Sequence, residues 1–423
     1  MTTTKQVSDL SDQVSDQVST VPAWTALPES FDEVVSRAKA LRPTLSDLGF
    51  DVDRHGTDPT EGMRLLGEAG LQRANVPVEL GGLWSGGPFG DWDRVIETAL
   101  EVTAADGSMG QCWATTAIQA RELMTAPLPT ETKQALAHEL MHDARRLVAS
   151  NAETGGTGPV TGRRVTDGII VTGVKTFNTN SGGGGRDLAN VGVRMPDADG
   201  RPARHHALVR LDAPGVVPHG NWDNMGQRGT VSQTIAYHEV FVPDGWHYPA
   251  ARSDRHFLQA ALSGHAMLLQ GIGEGAFHAM IDYIRRVNRP SMPMFSSAAD
   301  DVLMHRQIGE ISAALSAGRA YLLQACHRLA QADESTDSRA LVVEMFKVKV
   351  ACTAAALDAS ARLHDLTGAR STSNGYRLDR FWRNARTFAS HDSVDAKNAF
   401  VGAYELTGEL PDGSRYLPGL GKL

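Results

Sequence analysis

The residues best suited to chemistry are His391 and Asp392, which stand side by side near the end of the chain. An imidazole titrates close to neutrality, so a histidine oriented by an acidic neighbour can take or return a proton at a reacting atom. The same pair also occurs as a simple contact on a helix surface. Arg377, Arg380, Arg383 and Arg386 lead into it at intervals of three, with Phe381 and Trp382 between them. That spacing draws a slowly drifting helix face, which serves either as a solvated surface or as a subunit contact.

Two sharper-looking motifs fail on context. His138-Glu139-Leu140-Met141-His142 fits HExxH, in which two histidines on one helix face bind zinc. No further histidine follows at ligand spacing, and the surrounding helix is polar, so no metal is assigned. Ser181-Gly182-Gly183-Gly184-Gly185 lacks the Lys-Ser/Thr of a phosphate loop and the strand-GxGxxG-helix setting of a dinucleotide fold. It reads as a flexible connection whose bare backbone allows close approach to a planar cofactor.

The formal net charge of -8 argues against nucleic-acid binding, which needs a basic surface. Cys112, Cys326 and Cys352 form no CxxC pair. A disulfide framework is therefore not expected, and a reducing cytoplasm is the natural setting. No cationic leader with an apolar run stands at the N-terminus, and no apolar stretch reaches the roughly 20 residues of a membrane helix.

The elements that must position these groups change texture twice. Residues 1–24 repeat Ser, Asp and Gln and are expected to be disordered. Residues 25–146 are expected to form a helical domain, with Asp91 to Met124 as a buried pair of helices and Thr130 to Arg146 as an amphipathic one. Short β-rich runs separated by Gly, Asp and Asn then predict an antiparallel β domain over 147–250. Residues 251–407 return to helix. There Ile308, Ile311, Leu315, Gly318, Leu322, Ala325 and Leu329 hold one face of a bundle. Leu378 to Leu406 reads as one further helix, and 408–423 as a tail. Gly264, Gly271, Gly273 and Gly275 weaken the first bundle helix, so close approach to another helix or a ligand must compensate.

Helical, β, helical is also the order in which a set of family motifs falls. Val76-Pro77-Val78-Glu79-Leu80-Gly81-Gly82 resembles the VPxExGG turn of acyl-CoA dehydrogenases, and Asp106-Gly107-Ser108 the start of their buried helix beneath the flavin. Met225-Gly226-Gln227-Arg228-Gly229-Thr230, followed by His238-Glu239-Val240-Phe241-Val242-Pro243, resembles their MGxRG and strand signature. The resemblance spans about residues 30–406. It implies a mainly α fold with a central β domain: an N-terminal helical domain, an antiparallel β domain and a C-terminal four-helix bundle.

Departures from the pattern select the branch. The YEGT segment that carries the dehydrogenase glutamate reads His391-Asp392-Ser393-Val394 here, and Arg383-Asn384-Ala385 stands for RDA. Dehydrogenation with Asp392 as base is the weaker reading. Gly368-Ala369-Arg370-Ser371-Thr372, Leu378 to Thr387 and His391-Asp392 resemble the dibenzothiophene and dimethylsulfone monooxygenase branch, which is related to amine N-hydroxylases and nitroso-synthases. Members of that branch take reduced flavin from a separate NAD(P)H-dependent reductase and form a C4a-hydroperoxide with O₂. They oxygenate nitrogen, sulfur or aromatic carbon. The second histidine of the branch is replaced by Phe388, and another expected near Thr115-Thr116 is absent, which disfavours dibenzothiophene as substrate.

The resemblance further implies that Asn151 and Thr179 face the flavin ring and that Phe177 stacks on it. His391 is implied as the acid-base group, with Trp113, Thr116, Trp222 and Phe388 lining a substrate pocket. Arg370, Ser371 and Arg289 are candidate phosphate ligands. A guanidinium suits a terminal phosphate dianion, which favours FMN over FAD. A homotetramer is the assembly the family implies.

Overall fold

The computed structural model describes residues 22–153, 158–196, 199–250 and 256–412. Most of the 1–24 segment, and residues 413–423 of the tail, lie outside the described residues. Five helices come first: α1 (Phe31–His55), α2 (Thr60–Glu68), α3 (Trp92–Ala105), α4 (Gly107–Thr125) and α5 (Thr130–His142). Eight strands follow: β1 (Arg146–Ser150), β2 (Thr161–Val165), β3 (Gly168–Asn178), β4 (Asp187–Pro196), β5 (Pro202–Arg210), β6 (Val216–Pro218), β7 (Gln233–Pro243) and β8 (His247–Pro249). The chain ends in α6 (Phe257–Val287), α7 (Val302–Ala330), α8 (Ser338–Thr367), α9 (Asp379–Ala389) and α10 (Val394–Thr407).

The strands form one sheet in the order β6-β7-β3-β2-β4-β5-β8, with β1 also paired to β4. Pairing is antiparallel except where β1 and the first residue of β2 run parallel to β4. β1 enters from α5 and runs along β4, with the first residue of β2 pairing further along the same strand, while β5 is the antiparallel partner of β4.

The two helical parts share one apolar core. Val34 and Leu41 of α1, Trp92 and Leu100 of α3, Leu269 of α6 and Phe346 of α8 belong to a single buried cluster. At its centre, α6 packs against α3, α4, α7, α8 and α9. Its glycines make this possible. A Cβ on Gly275 would lie 2.4 Å from the Ala104 carbonyl oxygen, and one on Gly273 would lie 2.9 Å from Ala356 Cα. Helix approach, rather than a ligand, compensates these two glycines.

The last predicted helix divides. Ser390 Oγ donates back to the Arg386 carbonyl, and Ser393 Oγ caps α10 by accepting from Ala396 N–H. A serine cap favours a new helix start over continuation. His391 and Asp392 therefore sit in a turn between α9 and α10, where their side chains leave the helix direction. The arginine series is not a solvated face. Arg383 donates to both oxygens of Asp53 on α1 (2.9 and 2.7 Å), Arg377 joins it, and Arg380 is buried against Ser46. Burial would raise the Asp53 pKa, but these guanidiniums more than offset it and hold the carboxyl below its ordinary value. The series pins α9 to α1.

The glycine run between β3 and β4 closes over charged groups. A Cβ on Gly182 would strike Asp58, and one on Gly183 would meet Asp187 and Arg146. Asp58 and Asp187 both pair with the buried Arg146.

Candidate active site

A cavity of about 270 Å³ opens where the sheet meets the helices. From α4 come Gln111, Ala114, Thr115 and Ile118, and from α6 come Phe257, Ala261, Gly264, His265 and Leu268. The end of β1 brings Asn151, the end of β3 brings Phe177 and Thr179, and the α9 end brings Phe388 and His391. Gly264 lets α4 and α6 come together at the cavity wall, since a Cβ there would lie 2.9 Å from Ile118 Cδ1. The wall is mostly apolar, with its polar groups collected at two ends.

One end is aromatic and basic. The His265 and His391 rings are 4.5 Å apart between centroids, and Phe388 stacks on His391 at 5.4 Å and meets His265 edge-on at 5.6 Å. Behind them, the Asp392 carboxylate is clamped by Lys349 of α8 and Lys397 of α10. Burial, then the charges of Lys349 and Lys397, pull the His391 pKa down to about 4, although its ring is open to the cavity. His265 is pushed well below the ordinary histidine value, first by burial and then by His391 and the two lysines. Burial and the neighbouring Lys397 ammonium push the Lys349 pKa down, while the Asp392 carboxylate in contact with it favours the charged form. Both imidazoles are neutral at physiological pH.

The other end is built on strained backbone. Phe177 has φ 53°, is 56% exposed, and meets Trp222 edge-on at 6.2 Å. Trp222 is itself fixed by donating to the Gln227 carbonyl. Val231 has φ 43°, a costly conformation for a β-branched residue. Next to it, the Thr179 and Ser232 hydroxyls lie 2.9 Å apart, and Gln111 Nε2 donates to Thr179 Oγ1 at 3.3 Å. Gln227 Nε2 donates to Gln111 Oε1, and its backbone N–H donates to Asn384 Oδ1 at 2.7 Å, tying the cavity floor to α9. Asn151 Oδ1 accepts from Arg204 at 3.0 Å.

Residues 263–396 match the family model described as acyl-CoA dehydrogenase, C-terminal domain. Over 427 residues the chain is 32% identical to a dibenzothiophene monooxygenase of Mycolicibacterium goodii, covering 92% of this chain and 97% of that protein. The chain belongs to the dibenzothiophene monooxygenase family of flavin-dependent monooxygenases. A probable FMNH2-dependent monooxygenase of Pseudomonas putida is 32% identical over 230 residues, 50% of this chain and 56% of its own. The crystal structure of FMN-bound TdsC from Paenibacillus sp. A11-2 superposes with a TM-score of 0.82 at 24% identity, covering 91% of this chain and all of that one, which shows the shared acyl-CoA-dehydrogenase fold.

Within that family frame, the residues anticipated from sequence divide. Asn151, Phe177, Thr179, Phe388 and His391 meet at the cavity. Trp222 reaches it through Phe177. Trp113 and Thr116 are not among the lining residues. Trp113 is fully buried in the helical core, and Thr116 Oγ1 accepts from Leu147 N–H and Asn180 Nδ2, so it anchors β1 instead. On α4 it is Thr115, one residue earlier, that faces the cavity.

Ser371 is buried and donates to the Gly368 carbonyl. Arg370 and Arg289 are exposed, and both bear on the Tyr283 hydroxyl near the C-terminal end of α6. At about 1.5 Å per residue, roughly 33 Å of helix separates His265 from Val287. Asp392 is not presented as a base, because two ammonium groups hold it outside the cavity lining. Ligand atoms of His265, His391 and Asp392 lie within 4.8 Å of one another, but the same two lysines oppose a cation there. In the HExxH segment, Glu139 pairs with Arg145 at 2.6 Å.

Sequence reading missed His265 and Gln111. Gln111 has no motif around it. His265 stood next to Gly264, a glycine already expected to mark a close approach, and that was its only signal. No described helix is long and apolar enough to cross a membrane.

Proposed function

We propose that this chain oxygenates a small, mostly apolar molecule with reduced FMN and O₂, the reduced flavin coming from a separate NAD(P)H-dependent reductase. The observation that carries this reading is the single cavity joining Phe177, Thr179 and Asn151 at one end to His265 and His391 at the other.

The donor set fits a flavin ring. Phe177 offers an exposed aromatic face, while Thr179, Asn151 and Gln111 offer hydroxyl and amide groups suited to ring nitrogens and oxygens. When bound, reduced flavin supplies the electrons that activate O₂. The apolar wall of Ala114, Ile118, Ala261 and Leu268 excludes water, limiting loss of the activated oxygen as H₂O₂. A neutral His391 ring nitrogen accepts a proton from the substrate heteroatom or returns one to the departing oxygen.

Arg370 and Arg289 favour a terminal phosphate, hence FMN over FAD. Their position beyond the far end of α6 supports their acting on a neighbouring subunit's flavin, as in a homotetramer. That Cys112, Cys326 and Cys352 are free and buried supports a reducing, cytoplasmic setting. The start of β1 at Arg146 and of α6 at Phe257 supports the division into 25–146, 147–250 and 251–407.

The test is to supply reduced FMN, isotopically labelled O₂ and a panel of phenols, amines and sulfides. A product carrying one labelled oxygen atom supports the reading. Peroxide alone with every compound, formed no faster than by free reduced FMN, refutes it.

A further inference from the structure

His265 has a sealed nitrogen with nothing to bond. Its Nδ1 is buried and meets no hydrogen-bond partner among the described residues, although the ring lines the cavity. Buried polar atoms are ordinarily satisfied, so the exception marks a ring set at the cavity wall for something other than internal hydrogen bonding. Its neighbour His391 presents a second imidazole 4.5 Å away, and Phe388 touches both rings and fixes their planes. Around them the surface is apolar: Phe257, Ala261 and Leu268 come from the same helix as His265.

We propose that His265 and His391 form a two-point hydrogen-bonding clamp that selects a flat aromatic substrate carrying an O–H or N–H group over a thioether of similar shape. The catalytic meaning of the clamp rests on the function proposed above; its selectivity does not. A neutral imidazole carries one donor and one acceptor nitrogen. A phenol or heteroaromatic N–H can therefore give its proton to one ring, and a phenol oxygen can also accept from the other. A thioether offers neither a donor nor a good acceptor, so binding it leaves two desolvated nitrogens unpaired. Sites built for a substrate hydroxyl or N–H reject analogues that lack it far more strongly than sites that only sense shape. Lys349 and Lys397 stand behind His391 and help keep it uncharged and able to accept.

The experiment is a direct binding titration of the full chain, with and without oxidised FMN, using 2-naphthol, 2-methoxynaphthalene and benzothiophene. The expected result is a Kd for 2-naphthol at least about tenfold below both others. His265→Phe and His265→Asn should each shrink that preference by weakening 2-naphthol, while benzothiophene binding is unchanged or tighter. Equal Kd values for the three ligands in the unmodified protein overturn the clamp, and so does an unchanged preference in the variants. The comparison among ligands needs no variant, so it decides the matter even if neither substitution folds. FMN binding is read separately on the same samples. Its absence would sink the flavin reading and leave the ligand preference to be judged alone.

Discussion

His265 of α6 and His391 of the α9–α10 turn face each other at 4.5 Å between ring centroids, with Lys349 and Lys397 behind His391. An unfolded histidine protonates near pH 6.5, whereas folded His391 protonates near 4. Below pH 6.5 the unfolded state gains a proton that the folded state refuses, so stability falls as pH drops from 6.5 towards 4. Solvent reaching the cavity screens the effect, which is expected to be about 1 kcal/mol from His391. Urea midpoints measured across this range should decline, and His391→Gln should flatten the decline. Parallel curves for the two proteins would exclude His391 as a source.

Asp392 is a counter-ion to two lysines. Asp392→Asn keeps its shape but leaves Lys349 and Lys397 facing one another. Removing one partner from a buried charge cluster costs about 3–5 kcal/mol, so a large fall in Tm is expected. Lys349→Met in the same background should restore part of it, as one of the two opposed ammoniums is removed. Failure of the second substitution to recover any stability would show that the loss has another origin.

Gly275→Ala separates helix propensity from packing. An exposed helix would gain about 0.5–1 kcal/mol from that change. Here the new Cβ would lie 2.4 Å from the Ala104 carbonyl oxygen and 3.0 Å from Phe381, and overpacking costs about 1–3 kcal/mol. Thermal denaturation should show a lower Tm. A higher one would mean that α3 and α6 can part at little cost.

Thr116→Val removes the acceptor of Leu147 N–H and Asn180 Nδ2 without altering the cavity lining. Leaving buried donors unpaired costs about 1–3 kcal/mol. Stability should fall by that order, while calorimetry shows 2-naphthol binding unchanged in the folded protein. Weakened binding at full stability would return Thr116 to the substrate pocket.

Arg370→Met tests the phosphate assignment through ligand choice. The unmodified protein should bind FMN more tightly than riboflavin, and the variant should lose about tenfold of that preference as a charge-assisted pair disappears. An equal loss for both ligands would point to a general defect in the fold.

How much was legible beforehand depends on the range of the interactions concerned. The order of helical, β and helical parts, and the long faces of α7 and α8, follow from local periodicity and could be read directly. His391, Phe177 and Thr179 could be singled out beforehand because the family resemblance carries them, not because any local pattern does. The break after Ala389 was not legible, since it turns on two serine hydrogen bonds that helical periodicity does not reveal. The solvated-face reading of the arginine series failed because Asp53, the partner of Arg377 and Arg383, lies far away in sequence.

The sequence by itself determined the family and the glycines that let α6 run through the core, and it singled out His391. Only the tertiary structure decided what surrounds that histidine. His265, Lys349 and Lys397 come from three different helices, and no pattern along the chain relates them. They meet because the apolar faces of α6, α8 and α10 must be buried together, which brings their few polar side chains to the same turn.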